Sequence, residues 1–378
     1  MRYVALALFF VAVTHLVLIL TGNTYLYKAV VYNYADIDDY RLFENREINK
    51  SPEPEPWHIS DQYNSHTLSD ELRSTLEEYQ SVAYVVIKND EILYEEYWEG
   101  YGKDALSNSF SMAKSYIGAL IGIALDEGKI NSLDDAVADY LPSFAEGKKK
   151  DITIRHLLNM SSGLSWDESY SGPFSVTTKA YYGTDLKKII DNLTVITPPG
   201  DAYKYLSGNT QILGFVLEEA TGTSVSKYAE EKLWQPMGAE YDALWSLDKE
   251  GGHEKAYCCI NSNARDFARI GKLYMNFGSW EGKQLVDSQY VRESLTPARY
   301  ENDEIDYYGY QWWLLPDYEG HDIFYMKGLN GQYVVVIPEL EMIMVRLGHK
   351  RSKKTYRGPH REDMLTMVNE TIRIFAEQ

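Results

Sequence analysis

Read for apolar and polar positions, the chain divides into stretches of different period. Arg2 precedes an almost uncharged apolar run from Tyr3 to Leu20, broken only by Thr14 and His15, and this is long enough to cross a bilayer as a helix. Positions 23–78 hold no sustained period, Ser51-Pro52-Glu53-Pro54-Glu55-Pro56 predicts a stiff, extended spacer, and the region as a whole reads as a linker with some docking structure. Two β-rich runs, 82–87 and 92–98, flank Asn89-Asp90 and predict a hairpin. Between Ser111 and Glu127 apolar residues fall on nearly every side, with Gly128 as a stop, so a helix buried most of the way round is expected. From Ser132 to about Phe277 the pattern is helical, with starts at Ser132, Thr153, Thr184 and Ser262, stops at Gly222 and Gly278, and a break at Pro198-Pro199-Gly200. Strand patterns return at 308–315, 323–326, 333–337 and 342–347, and a helical stretch, 361–375, closes the chain. Strands at both ends with helices between them predict an α+β fold: an antiparallel sheet formed from both ends of the domain plus an inserted helical lobe. The boundaries expected are 1–22 for a membrane anchor or signal peptide, 23–78 for an extension or linker, and 79–378 for the globular domain.

Composition narrows the partners. With 37 basic against 56 acidic residues the net charge is −19, which argues against nucleic acid or an anionic membrane surface as the main partner. Positive charge before the apolar run, and Asp36, Asp38, Asp39, Glu44 and Glu47 after it, place the domain in the periplasm or exterior. No small-x-small site follows the run, so an uncleaved anchor is favoured over secretion after signal cleavage. Cys258 and Cys259 are adjacent and read as small buried residues, with no long-range disulfide and no spaced metal motif. The eight histidines form no metal-spaced pair, and neither metal nor cofactor is assigned.

Ser111 and Lys114 bring the first chemistry. Three residues apart at a helix start, they lie on one face within hydrogen-bond reach, where a lysine with a lowered pKa can activate a serine hydroxyl. Tyr205, in a loop leading from a Pro-Gly turn into the apolar helix after Ser207, sits where a tyrosine near an ammonium ionises more easily and can move a proton. The glycines of Met326-Lys327-Gly328-Leu329-Asn330-Gly331-Gln332 allow a substrate close to the backbone, where N–H groups can join that of Ser111 around an oxyanion.

In order and spacing, Ser111-Met112-Ala113-Lys114, the run 152–164 containing His156, Tyr205-Leu206-Ser207 and Gly328-Leu329-Asn330-Gly331-Gln332 resemble the serine β-lactamase and penicillin-recognising superfamily. The likeness is to its class C-like branch, of 6-aminohexanoate-dimer hydrolase type, and the stretch 261–271 shares it. It implies a β-lactamase/transpeptidase-like fold, Ser111 as nucleophile, Lys114 and Tyr205 as the proton-transfer pair, the N–H groups of Ser111 and Leu329 as oxyanion hole, and His156 as scaffold. Ser207, Met326, Gly328 and Trp166 are the expected substrate-binding residues; Trp312 and Trp313 are candidates for further apolar wall, with buried core the first reading for at least two of the three tryptophans. Two departures point away from β-lactam and peptidoglycan chemistry. Ser207 stands where the family has an asparagine, and Met326 where it has a cation, with Lys327 turned to the opposite strand face. The expected function is a serine hydrolase cleaving an amide or ester of a small molecule through an acyl-enzyme. The alternatives are a D,D-peptidase or β-lactamase, and a penicillin-binding-like sensor without turnover.

Overall fold

In the computed structural model, which describes residues 2–170 and 172–376, the hairpin around Asn89-Asp90 joins strands Ser81–Lys88 and Glu91–Tyr97. Both turn residues take positive φ, 51° and 65°, the turn geometry that suits the twist of the two strands. The strands belong to a seven-stranded sheet ordered Trp313–Tyr318, His321–Lys327, Tyr333–Ile337, Met342–Gly348, Ser81–Lys88, Glu91–Tyr97 and His58–Ile59. The two ends of the domain thus meet where Met342–Gly348 pairs with Ser81–Lys88. Every pair is antiparallel except the last, in which His58–Ile59 runs parallel to Glu91–Tyr97, so the sheet is mixed at one edge.

Apolar side chains line both faces of this sheet. On one face Val334, Val336, Ile343 and Val345 belong to the larger core with the helices Ala113–Asp126 and Ala264–Met275. On the other, Tyr84, Val86, Met344 and Tyr325 pack with the helices Asp70–Glu78 and Glu362–Phe375. The helical lobe between the strands carries Ile154–Leu158, Val176–Tyr182, Leu186–Asp191 and Ser207–Thr221.

Several expectations change. No α-helix starts at Ser132; a turn leads there into a 3₁₀ turn, Val137–Asp139. Thr153 does cap its helix, but the caps expected at Thr184 and Ser262 fall one residue later, on Asp185 and Asn263, whose carboxylate and amide oxygens accept the N–H groups of Lys188 and Asp266. A second sheet, ordered Asn45–Ile48, Ala243–Ser246, Ile260–Ser262 and Ser107–Asn108, has no counterpart in the sequence pattern, because strands of two to four residues carry no readable period. Within 23–78, Ile37, Ile48 and Trp57 are buried, Ser51 and Glu55 donate backbone N–H groups to the carbonyls of Ala239 and Gly238, and Asp70–Glu78 packs on the closing helix. Cys258 and Cys259 are buried but joined to each other in a vicinal disulfide, with Cys259 at φ 73°. Among the described residues no group of histidine, cysteine and acidic side chains is placed to hold a metal.

Candidate active site

The serine sits on a single tight turn. Phe110–Met112 is a 3₁₀ segment running straight into the helix Ala113–Asp126, and its entry is fixed by Asn108, whose side chain accepts the Phe110 N–H at 2.9 Å. Lys114, one turn on, is 1% exposed and donates from Nζ to Ser111 Oγ at 3.1 Å, Ser207 Oγ at 3.1 Å and the Tyr257 carbonyl at 2.7 Å. Burial pulls its pKa down from the ordinary lysine value to about 8, with the charge of Glu168 pushing the other way. A neutral amine has two hydrogens and one lone pair. With hydrogens on the Tyr257 carbonyl and Ser207 Oγ, its lone pair is left for the Ser111 proton.

Tyr205 lies beside this pair, with Lys114 Nζ 5.2 Å from its ring centre. Its acidity runs against the sequence-based expectation. Burial, and after it the Glu168 charge, hold the phenol above its ordinary range, while the Ser111 side chain opposes them weakly. The phenol is therefore poised to give a proton rather than to stand as an anion.

Glu168 was not singled out in the sequence. Its carboxylate accepts from the Ser207 N–H at 2.6 Å, from Ser207 Oγ at 2.6 Å and from the Tyr170 hydroxyl, so a continuous path runs from Lys114 through the Ser207 hydroxyl to an acid. The signal available was its place in Ser165-Trp166-Asp167-Glu168, directly after the glycine turn at Gly163. A loop acid announces itself only when its partner is known.

A cleft of about 370 Å³ opens over Ser111. Its lining includes Ser207, Tyr257, Cys258, Leu329 and Asn330, the residues Asn33, Tyr34 and Ala35, and Thr177 and Tyr181 of the helix Val176–Tyr182. Leu329 opens the short turn Leu329–Gly331 that follows strand His321–Lys327, so its backbone borders the same space as Ser111. The turn is held close by Gly328: a Cβ there would stand 2.3 Å from the Ser109 carbonyl oxygen.

That packing also corrects the substrate-binding expectations. Gly328 meets the Ser109 backbone and is not on the cleft lining. Met326 is 1% exposed and packs in the larger core, so it forms no wall. Alternation does turn Lys327 to the opposite face, but that is the face bordering the tyrosine. Its Nζ lies 3.4 Å from the Trp313 ring centre, and that indole lies 5.4 Å from the Tyr205 ring. A different cation, Lys353, lines the cleft. Trp166 supports the site from behind: its indole donates to Thr177 Oγ1 at 3.1 Å and fills the space where a Cβ of Gly208 would come within 2.6 Å. Trp312 and Trp313 are likewise buried. His156 closes a capping box with Thr153 and lies off the lining.

Comparison with known proteins fits this geometry. The Beta-lactamase family model matches residues 70–365. The 6-aminohexanoate-dimer hydrolase of Paenarthrobacter ureafaciens is 27% identical over 296 residues, 73% of this chain and 74% of that protein. A solved structure of a Bacillus anthracis protein assigned as a 6-aminohexanoate-dimer hydrolase superposes with a TM-score of 0.73 at 20% identity, covering 89% of this chain and 92% of the other. A family VIII carboxylesterase superposes at 0.60 and 17% identity over 84% and 98% of the two chains. The turn that carries Ser111 and Lys114, the sheet shared between the chain's two ends and a family match spanning most of the sequence converge: the chain belongs to the beta-lactamase family, a family of serine hydrolases.

Proposed function

We propose that this protein hydrolyses an amide or ester of a small molecule through an acyl-enzyme on Ser111. The observation that carries the reading is Lys114: a fully buried amine, 3.1 Å from Ser111 Oγ, whose proton affinity burial has lowered to about 8. As the Ser111 oxygen bonds to the substrate carbonyl, its proton passes to Lys114, and the oxyanion formed rests between the N–H groups of Ser111 and Leu329. The Tyr205 phenol gives its proton to the leaving nitrogen or oxygen as that bond breaks, and it is reprotonated from Lys114. Water then attacks the acyl group, loses its proton to the same pair and returns the serine hydroxyl. Ser207 and Glu168 orient the amine from behind.

The apolar run Arg2–Leu20 forms a single helix with mean hydropathy 2.6 and no buried residue, and we take it as the anchor that holds the domain on the outer side of a membrane. A fluorophosphonate probe tests the chemistry. The unmodified protein is expected to label at Ser111 and to hydrolyse p-nitrophenyl butyrate, and Ser111→Ala to do neither, with turnover down by ~10⁴-fold or more. Retained hydrolysis in Ser111→Ala removes the nucleophile assignment.

A further inference from the structure

Immediately after the anchor, the chain forms the short helix Leu26–Tyr32, which packs on the helix Val176–Tyr182 with Tyr25 and Ala29 turned inward, 5% and 8% exposed. Its other side carries Val30 and Val31, 75% and 72% exposed, and Tyr34, just beyond the helix end, is 73% exposed. Tyr27 beside them, 44% exposed, meets the preceding apolar helix, its hydroxyl hydrogen-bonded to His15 Nδ1 at 2.7 Å. On a helix, positions 27, 30 and 31 share one side. Valine and tyrosine at such exposure are left in water at a cost unless something apolar covers them.

The chain itself says what covers them. The residues from 21 to 25 join the end of the span to this helix, and even fully extended that connection reaches only about 20 Å. The bare face is therefore held at the membrane surface by continuity with the span. A cavity of about 540 Å³ begins at Thr21 and Gly22, where the span ends, and Lys28, Lys179 and Lys188 line it against the single acid Asp185. In a chain of net charge −19 this is a local reversal, at the depth where lipid phosphates lie.

The same segment walls the active site. Asn33, Tyr34 and Ala35 line the Ser111 cleft, the Ala35 carbonyl accepts from Asn330 Nδ2 at 2.9 Å, and the Ile37 carbonyl accepts from the Asn108 N–H at 2.9 Å. The strap that leaves the membrane is thus tied to the turn beside Leu329 and to the turn that presents Ser111. Tyr34 is both largely exposed and part of the cleft lining, so the cleft and the exposed apolar side chains after the span meet at this residue.

We propose that the bilayer surface is the occupant of this face, and that the substrates are amphiphiles, esters or amides bearing a long aliphatic chain, which enter the Ser111 cleft from the bilayer past Tyr34. The inference rests on the serine-hydrolase reading for its chemistry and on the attached span for its placement.

The test uses the full chain reconstituted in phosphatidylcholine vesicles. Val31→Cys carrying an environment-sensitive fluorophore is expected to be quenched by spin-labelled lipid. The double variant Val30→Asp/Val31→Asp, at positions that do not line the cleft, is expected to keep hydrolysis of soluble p-nitrophenyl butyrate within about twofold. The same variant is expected to lose roughly tenfold or more on bilayer-borne p-nitrophenyl palmitate. A fluorophore that stays unquenched overturns the membrane seat. So does palmitate hydrolysis unchanged by the two aspartates, or cross-linking of residue 31 between two copies, which makes the face a dimer contact. Absence of fluorophosphonate labelling and of turnover on both esters instead sinks the serine-hydrolase reading, and the substrate class with it; a labelled Ser111 with palmitate turnover indifferent to the aspartates sinks this inference alone.

Discussion

Two helices in this molecule are apolar nearly all the way round and end in opposite surroundings. Arg2–Leu20 buries none of its residues, whereas in Ala113–Asp126 every residue from Ala113 to Ala124 is buried. A helix with no polar face must be surrounded by apolar matter, but the pattern alone does not say whether that matter is lipid or protein. What separates the two is length and glycine. Nineteen residues without a glycine reach across a bilayer, while fourteen with Gly118 and Gly122 are too short to span and are notched for close neighbours. Each helix also carries one cation near its start. Arg2 is exposed, and Lys114 is enclosed, where desolvation turns a charge into a base.

The largest effect should come from placing one charge in each helix. Ile121→Asp puts an unpaired carboxylate in the core and is expected to leave no folded protein, the outcome for a buried charge without a partner. Val11→Asp, near the middle of the span, is expected to leave the domain's thermal transition where it was and to weaken membrane retention, read by fractionation and by the melting curve of the released protein. Should Val11→Asp unfold the domain, the two helices are not as different as their burial makes them.

Next in size is the enclosed cation. Lys114→Met is expected to cut kcat/KM by ~10²–10⁴-fold, the range for removing a positioned proton-transfer group, with the melting curve still cooperative. On the mechanism proposed, in which the free amine accepts the serine proton, kcat/KM in the unmodified protein should rise with pH and level off above about 8. Glu168→Gln sharpens this. The carboxylate stabilises the ammonium and so raises the Lys114 pKa against burial; neutralising it lets that pKa fall, and the rising limb should move to lower pH. A limb that stays in place, in a variant that still turns over, would show that Glu168 acts on Ser207 and not on the amine.

The first helix was legible by its length and the second by its apolar run closed at Gly128, because both signals are local. The longer strands of the large sheet were legible for the same reason, whereas His58–Ile59 was not, and the run 308–315 gives way to a strand at Trp313–Tyr318. What stayed hidden depends on contacts between distant segments. Glu168 is 39 residues from the Ser207 hydroxyl it accepts from, Asn33 to Ala35 wall a cleft built around Ser111, and the Tyr257 carbonyl under Lys114 is a backbone group with no side-chain signature. Met326 shows the opposite failure. Strand alternation correctly set it on the face away from Lys327, but alternation does not tell which face meets the tyrosine, and tertiary packing put Lys327 on that side through Trp313.

The smallest effect, and the finest test of the contrast, lies in the two glycine notches of the core helix. Replacing a helical glycine by alanine gains about 1 kcal/mol in intrinsic propensity. Against that stands the space each notch leaves. A Cβ at Gly122 would stand 2.5 Å from the Tyr290 ring, which cannot simply swing away because its hydroxyl donates to the Gly118 carbonyl at 2.6 Å and its residue is 3% exposed. Overpacking of that kind costs about 1–3 kcal/mol, so the loss should exceed the gain. At Gly118 the nearest atoms are the Gln311 Cβ at 3.2 Å and the Tyr310 carbonyl at 3.3 Å, a gap that tenths of an ångström of movement would open. There the propensity gain nearly offsets the crowding. Gly122→Ala is therefore expected to lower Tm by roughly 1–3 °C, the equivalent of up to about 2 kcal/mol for a domain of about 300 residues. Gly118→Ala should leave Tm close to that of the unmodified protein. Equal shifts in the two variants would mean that the Tyr290 ring moves freely, and that the notch at Gly122 is not what seats the helix in protein rather than lipid.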